Sequence, residues 1–210
     1  MEHATGDGKR RVAEALWATI TREGVAGVSV RSVAAEAGVT GGTVQYYFPT
    51  RAQMLHYAME LIADRVEQRL AAMPHSGPVE EWTRAILLEL LPLDADRHHE
   101  FGVWFAFSAY ANADPALAEL KRDTASRQRD LYRHLIRARR AQAETPTEAQ
   151  TRGTTTGSRN ECDPAEESDA ALLHAVIDGL AMQLADLSTD EAAMHGPALL
   201  DHYLAETIDR

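Results

Sequence analysis

The chain has 210 residues, 45% hydrophobic and 25% charged, enough apolar material for a core in one large or two small domains. No apolar run approaches the roughly 20 residues that cross a bilayer, and residues 1–9 lack the apolar segment of a secretion signal, so a cytoplasmic protein with no membrane partner is expected. The single cysteine, Cys162, excludes a disulfide framework and a multi-cysteine metal site, and the formal net charge of −11 excludes indiscriminate nucleic-acid binding.

That charge is uneven. Residues 1–51 hold six basic side chains (Lys9, Arg10, Arg11, Arg22, Arg31, Arg51) against five carboxylates, a net of about +1, which leaves about −12 for the rest. A near-neutral head can bind DNA where the fold clusters its basic points, while the acidic body repels it.

A first helix is expected from near residues 7–9 to 22, with Val12, Ala13, Leu16, Trp17 and Ile20 on one apolar face and Gly24 ending it. Ser29 caps a second helix through Ala37, Gly38 supplies the turn, and Thr40 caps a third. Pro49 forbids simple continuation, and Thr50 with Gln53 makes the capping box of a fourth helix over 51–72. Two short helices around a glycine turn read as a helix-turn-helix DNA reader. The PHSGP cluster after Met73 marks a domain boundary. Five further helices are expected over 79–91, 97–112, 115–141, 166–187 and 189–207. Asp114 before Pro115, and Ser188 with Glu191, are start signals, and Gly196-Pro197 should kink or split the last helix. Residues 142–166 belong to a stretch without Val, Ile, Leu, Met or an aromatic, which cannot offset its ordering entropy by burial. A mobile loop is expected there, an inert insertion rather than a ligand lid.

The segment VSVRSVAAEAGVTGGTVQYYFPTRAQML resembles the N-terminal domain of TetR-family transcriptional regulators. It has the Ser-led second helix, the AEAGV turn, a GT-containing recognition helix ending in Phe48 and a basic residue, Arg51, opening the fourth helix. The length and nine-helix layout are similar to that family, and FGVWFAFSAYANADPAL with VIDGLAMQL resembles the C-terminal domain of BetI-type regulators. The resemblance implies an all-α fold: a helix-turn-helix domain over 1–50, a connecting helix over 51–72, and an effector-binding and dimerisation domain over 73–210.

On a helical wheel Val44, Tyr47 and Phe48 share the packing side of the third helix, which leaves Gly42, Thr43, Tyr46 and, at the edge, Gln45 to read. Gly42 lets the backbone approach DNA, Thr40 and Thr43 suit a phosphate or a thymine methyl, and Gln45 can pair with adenine. Arg31 and Arg51 suit phosphate or guanine and complete the expected DNA-binding set. Where the family usually has tyrosine this chain has Gln45, which changes the expected base preference and not the docking mode.

One recognition helix contacts few base pairs, so a homodimer on a palindromic double-stranded operator is expected. In the eighth helix Leu173, Ile177 and Leu184 line one side and Ala175 and Met182 the other, a pattern suited to a core and a partner together. The expected interface is Ala175, Asp178, Met182, Leu200, Tyr203 and Leu204. The sixth helix carries aromatics all round, as in a helix enclosed by others, and the resemblance implies an effector cavity beside it. The candidate lining is Trp82, Trp104, Phe105, Ser108, His134 and Gln183.

His98 and His99 diverge by roughly 100° around the helix axis, so no metal site is expected. No nucleophile-base pair, phosphate loop or HExxH spacing supports catalysis, so neither an enzyme nor a cofactor is expected. The function expected is a repressor released from its operator by a small molecule. The alternatives are an all-helical metal or small-molecule enzyme and a constitutive DNA-binding dimer whose cavity is filled by side chains.

Overall fold

The computed structural model describes residues 2–112, 114–143 and 164–207. Among the described residues there are nine α-helices, one 3-10 turn and no strand. They are α1 (Glu2–Glu23), the turn (Val25–Gly27), α2 (Val30–Ala37), α3 (Gly41–Tyr47) and α4 (Arg51–Ala72). Then follow α5 (Val79–Glu89), α6 (Ala95–Ala111), α7 (Pro115–Ala143), α8 (Pro164–Ala185) and α9 (Thr189–Thr207). The expected loop over 142–166 lies, apart from its helical ends, outside the described residues, as does Cys162.

The start signals operate as their chemistry dictates. Thr50 and Gln53 exchange backbone-to-side-chain hydrogen bonds of 3.2 and 3.1 Å, and Glu191 accepts the Ser188 N–H at 3.0 Å. Asp114 accepts the Leu117 N–H at 3.4 Å, and Pro115, the next residue, takes the first helical position, where its missing N–H leaves no bond unmade. Most helix ends fall within two residues of the sequence expectation, α5 ending at Glu89, α6 spanning Ala95–Ala111 and α7 running on to Ala143, and two starts have a visible local cause. Helix α1 starts at Glu2, and Gly8 is what lets its first turns pass Tyr47, since a Cβ there would lie 2.3 Å from the Tyr47 hydroxyl. Helix α8 starts at Pro164, the first helical position that proline favours, two residues before the expected Glu166. Pro197 does not split α9, which runs unbroken through it.

The chain forms two compact units. The first comprises residues 1–69 and 96–124, so it is larger than the helix-turn-helix segment and takes in most of α6 and the start of α7. Its core packs Leu16, Trp17 and Ile20 of α1 with Val33, Val44, Phe48, Met54, Leu55, Met59, Phe107 and Leu117. The buried Trp17 indole donates to the Ala58 carbonyl at 3.1 Å, so its polar edge is satisfied while its ring stays in the core. Glu100, almost fully buried, is neutralised by a bidentate Arg69 at 3.2 and 2.8 Å. Thr21 lies 3.4 Å from His99 Nδ1. Among the described residues no group of His, Cys, Asp and Glu is placed to hold a metal.

The second unit comprises residues 70–95 and 125–210. Ile86, Leu87, Leu91, Tyr132, Leu135, Leu173, Ile177, Leu184, Leu200 and Leu204 form its core. A Cβ on Gly196 would sit 2.5 Å from Leu93 and 3.1 Å from Leu184, so glycine allows α9 its close approach. Arg84 grips Asp201 through two bonds of 2.5 and 2.8 Å and holds that carboxyl below the usual carboxylate range. Arg133 meets Glu167 at 3.1 Å, Arg137 meets Glu166 at 2.8 Å and Arg140 pairs with Asp169, which ties α7 to α8.

Candidate nucleic-acid interface

Helix α2 is started by a reciprocal box in which Ser32 takes the place usually held by Glu or Gln. The Ser29 hydroxyl accepts the Ser32 N–H at 3.0 Å, and the Ser32 hydroxyl accepts the Ser29 N–H at 2.9 Å. The helix ends at Gly38, whose φ of 63° is the left-handed conformation that closes the turn. The Val39 N–H then bonds to the Ala34 carbonyl at 3.0 Å, which sets the direction of the chain into α3.

Helix α3 is seated by Val44 and Phe48, both buried. Tyr47 is half-buried, its ring edge-on to Tyr46 at 5.2 Å. The opposite side is free: Gly42 and Gln45 are exposed, Thr43 is partly exposed, and Tyr46 is 75% exposed, a large aromatic in open solvent. Thr40 spends its hydroxyl as a cap, accepting the Thr43 N–H at 3.1 Å and meeting the Thr43 hydroxyl at 2.9 Å. The division of α3 into packing and outward positions is therefore the expected one.

The cations divide less simply. Arg22 is taken by Glu36 at 2.6 Å and Glu23 at 3.0 Å, and Arg10 lies 3.8 Å from Glu14. Arg31 is exposed and makes no ion pair among the described residues. Arg51, expected on DNA, has its side chain bonded within the protein. Its guanidinium donates to the carbonyls of Val28 at 3.1 Å and Val25 at 2.5 Å and to the Tyr110 hydroxyl at 2.8 Å. Three of its five N–H groups are thus used within the protein.

Two cations absent from the expected DNA-binding set are placed by packing beside the turn and the end of α3. Arg11, exposed on α1, reaches the turn, where a Cβ on Gly38 would meet its guanidinium at 3.3 Å. The Lys9 ammonium lies 3.9 Å from the centre of the Tyr57 ring and 5.6 Å from that of Phe48. It borders a groove of about 450 Å³ that also takes in Tyr47, Gln53 and His56. Nothing local in the sequence marks these positions, because only packing brings α1 beside the turn and the end of α3.

The expected effector residues separate. Trp82 and His134 come together in the second unit, ring centres 6.2 Å apart, with His75 on Trp82 at 5.2 Å. Trp104, Phe105 and Ser108 belong to the first unit. Trp104 packs on Phe107 at 5.7 Å, and the Ser108 hydroxyl is buried without a hydrogen-bond partner. Phe105 is largely exposed, so α6 is not enclosed on every side. Gln183 is exposed on α8 next to Met182, and His134 is exposed as well.

The dimer set also divides. Ala175, Asp178 and Met182 lie on the exposed side of α8 and Tyr203 is half-buried. Leu200 and Leu204 are buried in their own unit, because they occupy the side of α9 that closes the core. The large apolar side chains exposed on α8 and α9 are Met182 of that set together with Leu172, Met194 and Leu199.

Residues 13–58 match the model of the bacterial regulatory proteins of the tetR family, and residues 79–209 match the C-terminal domain of the BetI-type transcriptional repressors. The chain belongs to the TetR family of transcriptional regulators. It carries that family's helix-turn-helix DNA-binding domain, and α2 and α3 fall within the matched N-terminal region. A transcriptional regulator from Rhodococcus sp. Rha1 is 29% identical, with a TM-score of 0.73 and coverage of 96% of this chain and 98% of that one. A regulator from Saccharomonospora viridis, solved in complex with choline, has the same fold at 23% identity, with a TM-score of 0.70 over 97% of this chain and 98% of that one. The HTH-type transcriptional regulator PksA of Bacillus subtilis is 38% identical over 105 residues, 49% of this chain. The match spans about half, 51%, of that curated relative.

Proposed function

We propose that this TetR-family chain is a dimeric one-component repressor that holds a palindromic operator until a small molecule releases it. The observation that carries the reading is the free side of α3, where Gln45 and the 75% exposed Tyr46 face solvent beside Gly42 and Thr43 while Val44 and Phe48 anchor the helix. Side chains arranged in this way suit the major groove, where Gln45 can pair with adenine and the Thr43 methyl can meet thymine. Arg31 and Arg11, both exposed, supply charge for phosphates or guanine.

Two copies would join through α8 and α9, whose exposed Leu172, Met182, Met194 and Leu199 make an apolar face in a unit otherwise rich in charge. Trp82 and His134 are the effector contacts that the geometry supports best, and their ring faces suit an apolar or cationic group. Release needs only differential affinity: a tenfold preference of the effector for the form that does not bind DNA is a coupling of about 1.4 kcal/mol. Helix α4, which carries residues of both units, is the element through which that coupling would act.

The test is binding to DNA flanking the gene, compared between the wild type, Arg31→Ala and a Gln45→Ala/Tyr46→Ala double variant at matched salt. Each variant should lose about 1–3 kcal/mol of specific binding. Wild-type affinity in both variants would sink the site assignment.

A further inference from the structure

Resting on the DNA-binding reading above, we infer that Arg51 is a positioning residue for the helix-turn-helix rather than a ligand of the DNA backbone. It links the segment that launches α2 and the last turn of α6 to the start of α4, the element that follows α3.

The geometry is specific. Arg51 is the first residue of α4, three residues after Phe48, where α3 closes, and its backbone is held by the box that Thr50 and Gln53 form. From there the side chain turns inward. Nε donates to the carbonyl of Val28 at 3.1 Å and one terminal nitrogen to that of Val25 at 2.5 Å. Val25 opens the 3-10 turn after α1, and Val28 directly precedes Ser29, the cap of α2. Both valines are buried, so these carbonyls lie on the segment that decides where α2 begins. The other terminal nitrogen donates to the Tyr110 hydroxyl at 2.8 Å, with the guanidinium carbon 4.8 Å from that ring's centre.

A planar fork of five donors can bridge three acceptors in this way, and an ammonium on a flexible stem cannot. The arrangement also removes Arg51 from the phosphate pool. Two N–H groups remain, but swinging the guanidinium out to a phosphate would break the charge-assisted bonds already made, at a cost comparable to the bonds gained. Among the described residues Arg31 and Arg11, both exposed, make no such bonds.

What Arg51 supplies is register. The segment before α2 is attached through one side chain to the start of α4, three residues beyond Phe48, and Tyr110 of α6 closes over that side chain. Loss of the link would leave the outward residues of α3 chemically intact but their angle to the groove less defined, so DNA affinity would fall without any phosphate contact being lost.

Three variants separate the possibilities: Arg51→Lys, which keeps the charge; Arg51→Ala; and Tyr110→Phe, which removes only one hydroxyl, on α6. Each is measured for affinity to a duplex selected from a random-sequence pool by the wild-type chain, over a range of salt and well below its melting temperature. A positioning role predicts that Arg51→Lys binds about tenfold more weakly and Tyr110→Phe about threefold, in line with the charge-assisted bonds lost. It also predicts that the slope of log K against log salt matches the wild type in all three. A phosphate ligand predicts near-normal binding by Arg51→Lys, none of the loss in Tyr110→Phe, and a slope flatter by about 0.9 for each phosphate released in Arg51→Ala. That pattern would overturn the inference, and so would variants that only melt earlier while the folded protein keeps wild-type affinity. A wild-type chain that selects no sequence at all would instead overturn the parent reading.

Discussion

Gly42 and Tyr46 stand one helical turn apart on the free side of α3 and contribute in opposite ways, one by having no side chain and the other by extending a ring into solvent. A Cβ on Gly42 would meet only the Thr40 hydroxyl, at 3.7 Å, an ordinary contact. Gly42→Ala should therefore fold normally and gain up to about 1 kcal/mol from the less flexible unfolded chain. It should nevertheless bind the operator more weakly if backbone approach is what the glycine provides; melting curves and DNA titrations on the same preparation check both halves. A second residue-scale prediction concerns Tyr132, fully buried on α7, whose hydroxyl accepts a hydrogen bond from Gln128 at 2.8 Å. Burial pushes its ionisation well above the ordinary value of 10.0, so the folded state holds the proton more tightly than the unfolded state does. Its contribution is complete below about pH 10 and is lost as pH rises beyond it. Denaturant titrations from about pH 8 to about pH 11 should show that alkaline loss, and Tyr132→Phe should show less of it.

At the scale of elements, the outer faces of α8 and α9 carry the next prediction. Leu172 and Met182, on α8, are each more than half exposed, while Leu173, Ile177 and Leu184 on the same helix are buried. Replacing both Leu172 and Met182 by Asp should leave the helical content intact, because neither side chain belongs to the core. It should convert the proposed dimer to monomers in sedimentation velocity and weaken operator binding by about a hundredfold or more, since the two heads would no longer share one effective concentration. The helices themselves were largely legible in the sequence because their causes are local. Gly24, Ser29, Gly38, Thr40, Thr50 with Gln53, and Ser188 with Glu191 act within a few residues of themselves. Faces were less legible. Leu200 and Leu204 read as interface and are core, and Gln183 read as cavity lining and is exposed, because the apolar pattern of a helix does not say which neighbour covers which side.

For the whole molecule, the formal charge of −11 and the reading of DNA are compatible because the reading helix and the acidic sequence lie in different parts of the chain. The candidate site was legible where it is contiguous, from Thr40 to Phe48, and obscure where it is assembled by packing. Arg51 was expected on DNA because it is basic and opens a helix, yet its partners, Val25, Val28 and Tyr110, lie up to 59 residues away in sequence. Arg11 and Lys9 were passed over for the converse reason, since α1 reaches the turn and the end of α3 only in the folded chain. The central claim is that this TetR-family chain reads a symmetric operator as a dimer through α3. The most direct measurement is selection of duplexes from a random-sequence pool by the wild-type chain, followed by sequencing and by the stoichiometry of the complex. The account predicts enrichment of two inverted half-sites bound by an even number of chains, with the enriched bases altered by Gln45→Ala. No enrichment, or enrichment of a single asymmetric site by one chain, would contradict it.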